Sequence, residues 1–490
     1  MKAPFAIPKE VSHITETLEK AGFEAYLIGG CVRDMIRGQK PKDWDVTTSA
    51  KPADIMKLFE KSFYENEYGT VGVVNENVSD ETLKVVEITP FRIEGKYTDG
   101  RRPDEVHFSD SLEDDLKRRD FTINAIAYHV SKGQTIDFYG GQDDIKDKVI
   151  RTVGKPKERF SEDGLRILRA VRLATELGFT INTETKESIK KLAPTLVNIS
   201  KERIRDEFIK IIMSDHPLDG IALTRTLHIL PYIIPEIEEG VGIKQNGDHI
   251  YTVWEHNLRA LQHAADRNWS FHVRLAALLH DVAKPHTRRW SKEKKDWTFY
   301  GHDVVGGRVS RKTLERLKFP KKIVDVVSKL VRYHLFFSDV EKITLSAVRR
   351  IVRNVGPEHV WDLMKVRACD RIGMGRPKET PYRLRKYEAM IEEAMRAPVS
   401  VQMLKIDGDK IMEVTRETPG PKIGLILHAI LEEVLDDPDR NTEKFLVKRS
   451  KELAGLPGTE LKKLGEKGKE VKEEKEAKEV AEIRKRHWVK

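Results

Sequence analysis

Asp43-Trp44-Asp45 leads into Val46-Thr47, the beginning of a strand. Residues two apart in a strand share a face, so both carboxylates can hold one metal ion. Two like charges so close are costly without a cation. Glu87 sits in the apolar run Val85-Val86-Glu87-Ile88-Thr89, as either a paired core charge or a third ligand. Upstream, Gly29-Gly30-Cys31-Val32-Arg33-Asp34 follows a strand-like Tyr26–Ile28 and opens a helical run. Glycines there let backbone N–H groups approach a phosphate chain, with Arg33 beside them; a plain tight turn is the alternative. Three acids on adjacent strands beside a glycine loop suit two Mg²⁺ ions and a triphosphate.

Further on, Asp163 and Arg166 are three apart, so they lie on one helical face. One accepts and the other donates hydrogen bonds, so together they can mimic a template base against the Watson–Crick edges of C and A. A surface salt bridge is the simpler reading of such a pair out of context. Arg166, Arg169 and Arg172 form a basic stripe, either a solvated face or a contact for triphosphate or RNA backbone. His256, His280-Asp281, His302, His334 and Asp370 are spread over helical segments. Leu275–Leu279 puts His280-Asp281 on an apolar helix, where buried charge calls for a metal or a salt bridge. Imidazole nitrogen with carboxylate oxygen favours a transition metal such as Ni²⁺, Mn²⁺ or Zn²⁺, whereas the oxygen-only set Asp43, Asp45 and Glu87 favours Mg²⁺.

The elements that must carry these groups change character along the chain. Up to about residue 150 helices and strands mix, with Val71–Asn75 and Leu83–Thr89 alternating as strands do. From Ser161 helical periodicity takes over, with one helix expected from Ser161 to about Leu177, closed by Gly178. Strand signals nearly vanish beyond it. The end, 459–490, is dense in Lys and Glu and reads as a solvated helix or a disordered tail. The 490 residues carry 88 Lys and Arg against 79 Asp and Glu, a net charge of +9 that suits a polyanionic partner. Only two cysteines, Cys31 and Cys369, exclude a disulfide framework or zinc-finger spacing. No apolar run approaches the ~20 residues of a membrane span, and the first residues lack a secretory pattern. The expectation is a cytoplasmic protein with no membrane partner.

Leu27–Asp34 followed by Lys42-Asp43-Trp44-Asp45-Val46-Thr47-Thr48 resembles the head of class II tRNA nucleotidyltransferases and bacterial poly(A) polymerases, within the polymerase-β-like superfamily. The resemblance continues through Arg118–Ala125, Ile136–Ile145 and Arg159–Arg169, five motifs in order over roughly the first 210 residues. It implies that Asp43 and Asp45 hold the catalytic Mg²⁺ ions, with Glu87 as third acid, and that Arg119, Asp120 and Asn124 meet the nucleotide ribose. Gly29, Gly30, Arg33, Asp163, Arg166, Arg169 and Arg172 complete the expected nucleotide site. The segment Glu94–Pro103 resembles the flexible loop of relatives that add the terminal A, and Ser200–Glu207 resembles a helix bracing the site, taken here as structural. The histidine series resembles the HD phosphohydrolase superfamily, with His256, His280, Asp281 and Asp370 as implied metal ligands; Gly301-His302-Asp303 and His334 strengthen the likeness. The fold expected is α+β: a small mixed-sheet nucleotidyltransferase head followed by an all-α neck, body and tail. The boundaries expected are head 1–150, neck 151–244, HD domain 245–375, helical tail domain 376–458 and charged tail 459–490. The implied activity is template-independent addition of C, C and A to tRNA from CTP and ATP. The alternatives are an A-adding enzyme or poly(A) polymerase and, from another class, an HD phosphohydrolase with a tRNA-binding head.

Overall fold

The computed structural model describes residues 5–65, 69–95, 106–247, 249–336, 343–396 and 400–464. The chain divides into two units, Met1–Pro235 and Glu236–Lys490. Most of the loop expected at Glu94–Pro103 lies outside the described residues, as does 465–490 of the charged tail.

The first unit begins with the helix Lys9–Lys20 and then builds its main sheet. Its strands are β1 (Ala25–Ile28), β2 (Asp45–Thr48), β3 (Ser62–Tyr64), β4 (Val71–Val74) and β5 (Val85–Pro90). A separate ribbon of β6 (Arg92–Glu94) and β7 (Val106–Phe108) precedes β8 (Ala127–His129) and β9 (Gln134–Ile136). The seven-stranded sheet runs β3-β4-β5-β2-β1-β8-β9. β2 and β5 are parallel and the other neighbours antiparallel, the mixed sheet that was expected. Central β1 is buried along its whole length, which explains its unbroken apolar Ala25-Tyr26-Leu27-Ile28.

The single helix expected from Ser161 is two. The first, Pro156–Glu162, stops before Asp163, whose backbone is extended, and the second, Leu165–Leu177, ends on Gly178 in the left-handed conformation. Gly164 separates them, and a Cβ there would lie 3.0 Å from Thr195 Oγ1. Ile167, Leu168, Ala170, Val171 and Ala174 face the core of the second helix at helical spacing. The helix Lys201–Met213 packs against it through Ile204, Phe208, Ile211 and Ile212.

Among its described residues the second unit is helical apart from a short antiparallel hairpin of Arg289–Ser291 and Asp296–Thr298. The helix Val253–Asp266 opens with a capping box between Thr252 and Glu255, and Phe271–Leu279 is buried from Val273 to its end. Val360–Gly373 crosses close to the first of these: a Cβ on Gly373 would sit 2.9 Å from His256 Nδ1. Leucines and isoleucines of Gly408–Thr415, Pro421–Asp436 and Glu443–Ala454 form a separate core. No helix among the described residues is long and apolar enough to cross a membrane.

Candidate active site and metal centre

Gly29 ends β1 with φ +76°, a conformation glycine takes without strain. A Cβ there would meet Arg119 Nη1 at 3.3 Å and Asp45 Oδ2 at 3.6 Å, and one on Gly30 would meet Asp43 Oδ1 at 3.5 Å. The glycine turn therefore lies directly against the acid pair. Asp45 opens β2, while Asp43 lies just before it, exposed, with Trp44 buried between them. Glu87 is Asp45's register partner across the parallel β2–β5 pairing. Burial raises the Asp45 pKa to about 7, helped by the charges of Asp43 and Glu87 against those of Arg119 and Arg33. Loss of hydration, with Glu65 and Asp43 nearby, also raises Glu87. These carboxylates repel one another, which is the electrostatic demand a divalent cation meets. They are nevertheless not among the groups of three described residues whose ligand atoms fall within 4.8 Å of one another; both of those lie in the second unit. Cys31, buried behind the turn, has its thiol pushed up to about 12 by burial.

A continuous polar chain leaves this turn. Arg33 Nη1 donates to Asn124 Oδ1 at 2.7 Å, and Asn124 Nδ2 donates to Asp120 Oδ1 at 3.3 Å. Asp120 also accepts from the Phe121 N–H at 2.8 Å and from Arg169 Nε at 2.7 Å. Burial alone would raise Asp120, but the Arg169 and Arg166 charges override it and hold its carboxyl at about 2. Arg169 reaches on to Glu207 at 4.0 Å, and Glu207 holds Arg172 Nε at 2.8 Å. Arg119 pairs with buried Asp115 at 3.3 Å, and its Nε is buried with no hydrogen bond.

Asp163 and Arg166 meet at the helix break through their backbones, the Arg166 N–H donating to the Asp163 carbonyl at 3.0 Å, while their side chains turn to other partners. Asp163 Oδ1 caps the Leu165 N–H at 3.0 Å and accepts from Arg203 Nη1 at 3.3 Å; its Oδ2 accepts from Arg203 Nη2 at 2.7 Å. Arg166 donates to Glu162 at 2.6 Å and to the carbonyls of Arg159 and Arg118 at 3.3 and 3.1 Å. The Arg166–Arg169–Arg172 stripe is consequently not a bare basic face, since each guanidinium is held by at least one carboxylate.

In the second unit His256, His280, Asp281 and Asp370 converge in a buried cluster. His256 Nε2 lies 2.8 Å from His280 Nε2, 3.1 Å from Asp281 Oδ2 and 3.4 Å from Asp370 Oδ1. His302 and His334 join from the other side, their Nε2 atoms 3.2 and 3.7 Å from Asp281 Oδ1. His280, His302 and His334 use one device: each Nδ1 meets the carbonyl three residues earlier, at Ala277, Phe299 and Val331, at 2.6–2.8 Å. Orientation by that carbonyl turns every Nε2 inward, the arrangement of metal-ligating histidines. His302 Nε2 is buried and makes no hydrogen bond despite its nearness to Asp281. Burial disfavours the Asp281 and Asp370 charges, yet Lys284 at 2.6 Å and Arg367 respectively hold both carboxyls well below the usual range. His256–His280–Asp370 and Asp281–His302–His334 are the two groups whose ligand atoms lie within 4.8 Å, so the residues present fit a metal centre of more than one position.

Sequence reasoning left His302 and His334 outside the ligand set and treated Arg203 as structural. His334 closes a helix as His280 does, whereas His302 opens one. Nothing in the sequence marks the Arg203–Asp163 pair, 40 residues apart. Lys284, three residues after Asp281, is its i+3 partner.

Three family models match the chain: the Poly A polymerase head domain over residues 25–151, the probable RNA and SrmB-binding site of polymerase A over 178–240, and the HD domain over 253–372. Together the nucleotidyltransferase and HD domains imply dependence on divalent metal. A CCA-adding enzyme of Lactiplantibacillus plantarum is 43% identical over 233 residues, 47% of this chain and 56% of the relative. A second, of Geobacillus thermodenitrificans, is 36% identical over 326 residues, 66% of this chain and 69% of its own. Against the first of these the chain thus spans little more than half the relative's length. Among solved structures, the CCA-adding enzyme of Bacillus stearothermophilus in complex with CTP superposes with a TM-score of 0.67 at 28% identity, covering 92% of this chain and 98% of that one. The chain belongs to the family of CCA-adding enzymes.

Proposed function

We propose that the protein adds C, C and A to the 3′ end of tRNA from CTP and ATP, without a nucleic-acid template. The observation that carries this reading is the glycine turn of Gly29 and Gly30 packed onto Asp43 and Asp45, with Glu87 in register beside them. In each round the 3′-hydroxyl oxygen of the tRNA bonds to the α-phosphorus of the nucleotide, pyrophosphate leaves, and the hydroxyl proton is lost to solvent. Asp43 and Asp45 are the residues that would hold Mg²⁺, with Glu87 as third acid. A bound Mg²⁺ acidifies the attacking hydroxyl and offsets charge on the leaving pyrophosphate. Gly29 and Gly30 admit the triphosphate to the turn, flanked by Arg33 and Arg119. The ribose falls to Asp120 and Asn124, whose positions Arg33 and Arg169 hold.

Base choice follows from donors and acceptors. C and A both present an exocyclic amine on the Watson–Crick edge, where U and G present a carbonyl. Asp163 Oδ2, engaged by Arg203 at one position, retains capacity to accept from that amine, and Arg166 N–H groups not used by Glu162 and the carbonyls donate to the neighbouring ring nitrogen. Arg172 positions Glu207 and through it Arg169. The neck, 151–244, and the tail domain, 376–458, serve tRNA binding, and the place of action is cytoplasmic. The CTP complex of the Bacillus stearothermophilus relative supports the nucleotide assignment.

The buried histidine–aspartate centre favours a second, phosphohydrolase activity in the same chain. His256, His280, Asp281 and Asp370, with His302 and His334, would hold a transition metal such as Ni²⁺, Mn²⁺ or Zn²⁺. The transferase reading is tested with Asp43→Ala and Asp45→Ala. Each abolishes nucleotide addition while tRNA affinity in a filter-binding assay stays near wild type. Near-normal addition by either variant sinks the reading.

A further inference from the structure

The sheet that carries the acids continues past them. One row of register partners runs from Phe63 on β3 to Gly72 on β4, Glu87 on β5 and Asp45 on β2. Register partners share a face, so Phe63 stands on the side of the sheet that presents Glu87 and Asp45. Gly72 is what lets its ring lie down there. A Cβ on Gly72 would be 2.6 Å from Phe63 Cζ and 2.8 Å from its Cε1. Glycine inside a strand marks such a close approach. The ring thus reaches from the edge strand across β4 towards Glu87, over part of the about 10 Å that separates strands two apart. Glu65, two residues beyond Phe63, shares its face, and its N–H donates to the Thr70 carbonyl at 2.8 Å. After loss of hydration, the Glu65 charge is the strongest influence raising Glu87, so this end of β3 lies beside the acid. Although it covers Gly72, Phe63 stays 41% exposed and makes no ring or cation contact among the described residues. Val74 and Val85, register partners on the same face, are exposed next to it.

The polar groups of the nucleotide site lie on the other side of the acids. In the strand order β3-β4-β5-β2-β1-β8-β9, Gly29 ends β1, and Asn124, which accepts from Arg33, lies just before β8. Arg119 lies against Gly29, and Arg166 donates to the carbonyl of the neighbouring Arg118. In-line displacement places the attacking hydroxyl and the leaving pyrophosphate on opposite sides of the α-phosphorus. With the triphosphate at the glycine turn, the hydroxyl arrives from the side of β5, β4 and β3. Among the described residues of those three strands, Phe63 is the aromatic on the acid face. The arriving 3′ end also changes its base as C, C and A are added. A stacking contact tolerates that change, because every base has a π-face.

We propose that the Phe63 ring, seated on Gly72, is the platform on which the 3′-terminal base of the tRNA stacks while its hydroxyl is presented to Asp43, Asp45 and Glu87. This assignment rests on the transferase reading of those acids. Phe63 then binds the RNA end and takes no part in choosing the incoming nucleotide, which falls to Asp163 and Arg166 across the sheet.

The test uses the full chain with Mg²⁺ and tRNA transcripts ending at the discriminator, whose last nucleotide either carries its base or is abasic. With wild type, removing the base lowers kcat/KM for tRNA about tenfold, the scale of one base–aromatic stack. Phe63→Ala costs about tenfold on the base-bearing transcript and little more on the abasic one, so the combined loss stays near tenfold where independent effects would give about a hundredfold. KM for CTP stays within about twofold of wild type in every variant, Phe63→Tyr keeps the full base effect, and Tyr64→Ala, on the opposite face of the strand, changes nothing. Losses that multiply overturn the proposal, because they reduce Phe63 to a cover for Gly72. Unchanged kcat/KM for tRNA in Phe63→Ala overturns it as well, as does a loss confined to KM for CTP. A second measurement crosslinks tRNA ending in 4-thiouridine by ultraviolet light without nucleotide, with the adduct expected in the peptide 62–74; an adduct found only elsewhere also overturns the proposal. If tRNA is extended normally but the base and Phe63 are uncoupled, the platform alone falls. If the adduct forms and no nucleotide is ever added, the platform stands without the transferase reading.

Discussion

Arg203 reaches no nucleotide in the proposed site, yet its removal should change which nucleotide is chosen. Asp163 lies in an extended break between two helices, where nothing in its own backbone fixes the carboxylate plane. Arg203 fixes it, with Nη1 and Nη2 on the two oxygens at 3.3 and 2.7 Å. The remaining anchor, the Leu165 N–H at 3.0 Å, holds one oxygen only. Arg203→Ala therefore frees the carboxylate to rotate, and the amine of C or A loses its acceptor. A base-edge contact of this kind discriminates by about 1–3 kcal/mol, which is about 5- to 150-fold. The expected result is a fall of that size in the ratio of kcat/KM for CTP over UTP on tRNA ending at the discriminator, matching that in Asp163→Ala. The double variant should be no worse than either single one, so the coupling energy equals the whole Arg203 effect. Arg203→Lys should recover only part, because an ammonium cannot make the bidentate contact. Additive losses, or an Arg203→Ala enzyme that still prefers CTP as wild type does while Asp163→Ala does not, would refute the reasoning.

Three further outcomes are expected. The His280→Ala, Asp281→Ala double variant should lose bound transition metal by elemental analysis and all phosphohydrolase activity, yet retain CCA addition within about tenfold, or roughly 1.4 kcal/mol; a variant folded by circular dichroism that cannot extend tRNA would merge the two sites. Deleting Lys96–Arg102 should spare C addition and damage A addition in single-nucleotide assays, since a polar segment there can reshape the pocket for a purine; equal loss of both would make it a general structural element. Asp120, shifted from 3.8 to about 2, stabilises the fold by about 2 kcal/mol at neutral pH. Its lowered pKa makes that stability complete above about pH 4 and lost as pH falls through about 2, so the urea-midpoint gap between wild type and Asp120→Asn should close over that window; a gap independent of pH would remove the Arg169 charge as its cause.

The chemistry of the head was legible because it rests on local spacing. A glycine pair after an apolar strand and two acids at i and i+2 define a turn and a strand start without long-range knowledge, and Glu87 stood out as an acid in an apolar run. What spacing could not supply was the break at Asp163-Gly164. The amphipathic pattern runs on across it, while the break lies in the extended backbone of Asp163, whose carboxylate caps the Leu165 N–H of the next helix. The basic stripe misled for a related reason: beside the local acids Glu162 and Glu176, Arg169 is held by Asp120, 49 residues away, and Arg172 by Glu207, 35 residues away. In the second unit the His…His-Asp…Asp order, through its resemblance, pointed to four residues that the fold brings into one buried cluster. His302 and His334 make the same local contact as His280, to the carbonyl three residues earlier, but it takes the packing of their helices to bring the three rings together, which spacing does not show. The hairpin at 289–298 was missed because its strands are three residues each, too short for alternation to register.

The central claim is ordered addition without a template, and product length measures it directly. Transcripts of one tRNA ending at the discriminator, at C and at CC are incubated with CTP alone, ATP alone, or both. The account predicts two added cytidines on the first transcript with CTP alone and a single adenosine on the third with ATP alone. With both nucleotides, all three transcripts should converge on one CCA-ended length. Failure of the discriminator-ended transcript to grow with CTP, or a run of adenosines beyond one, would contradict it.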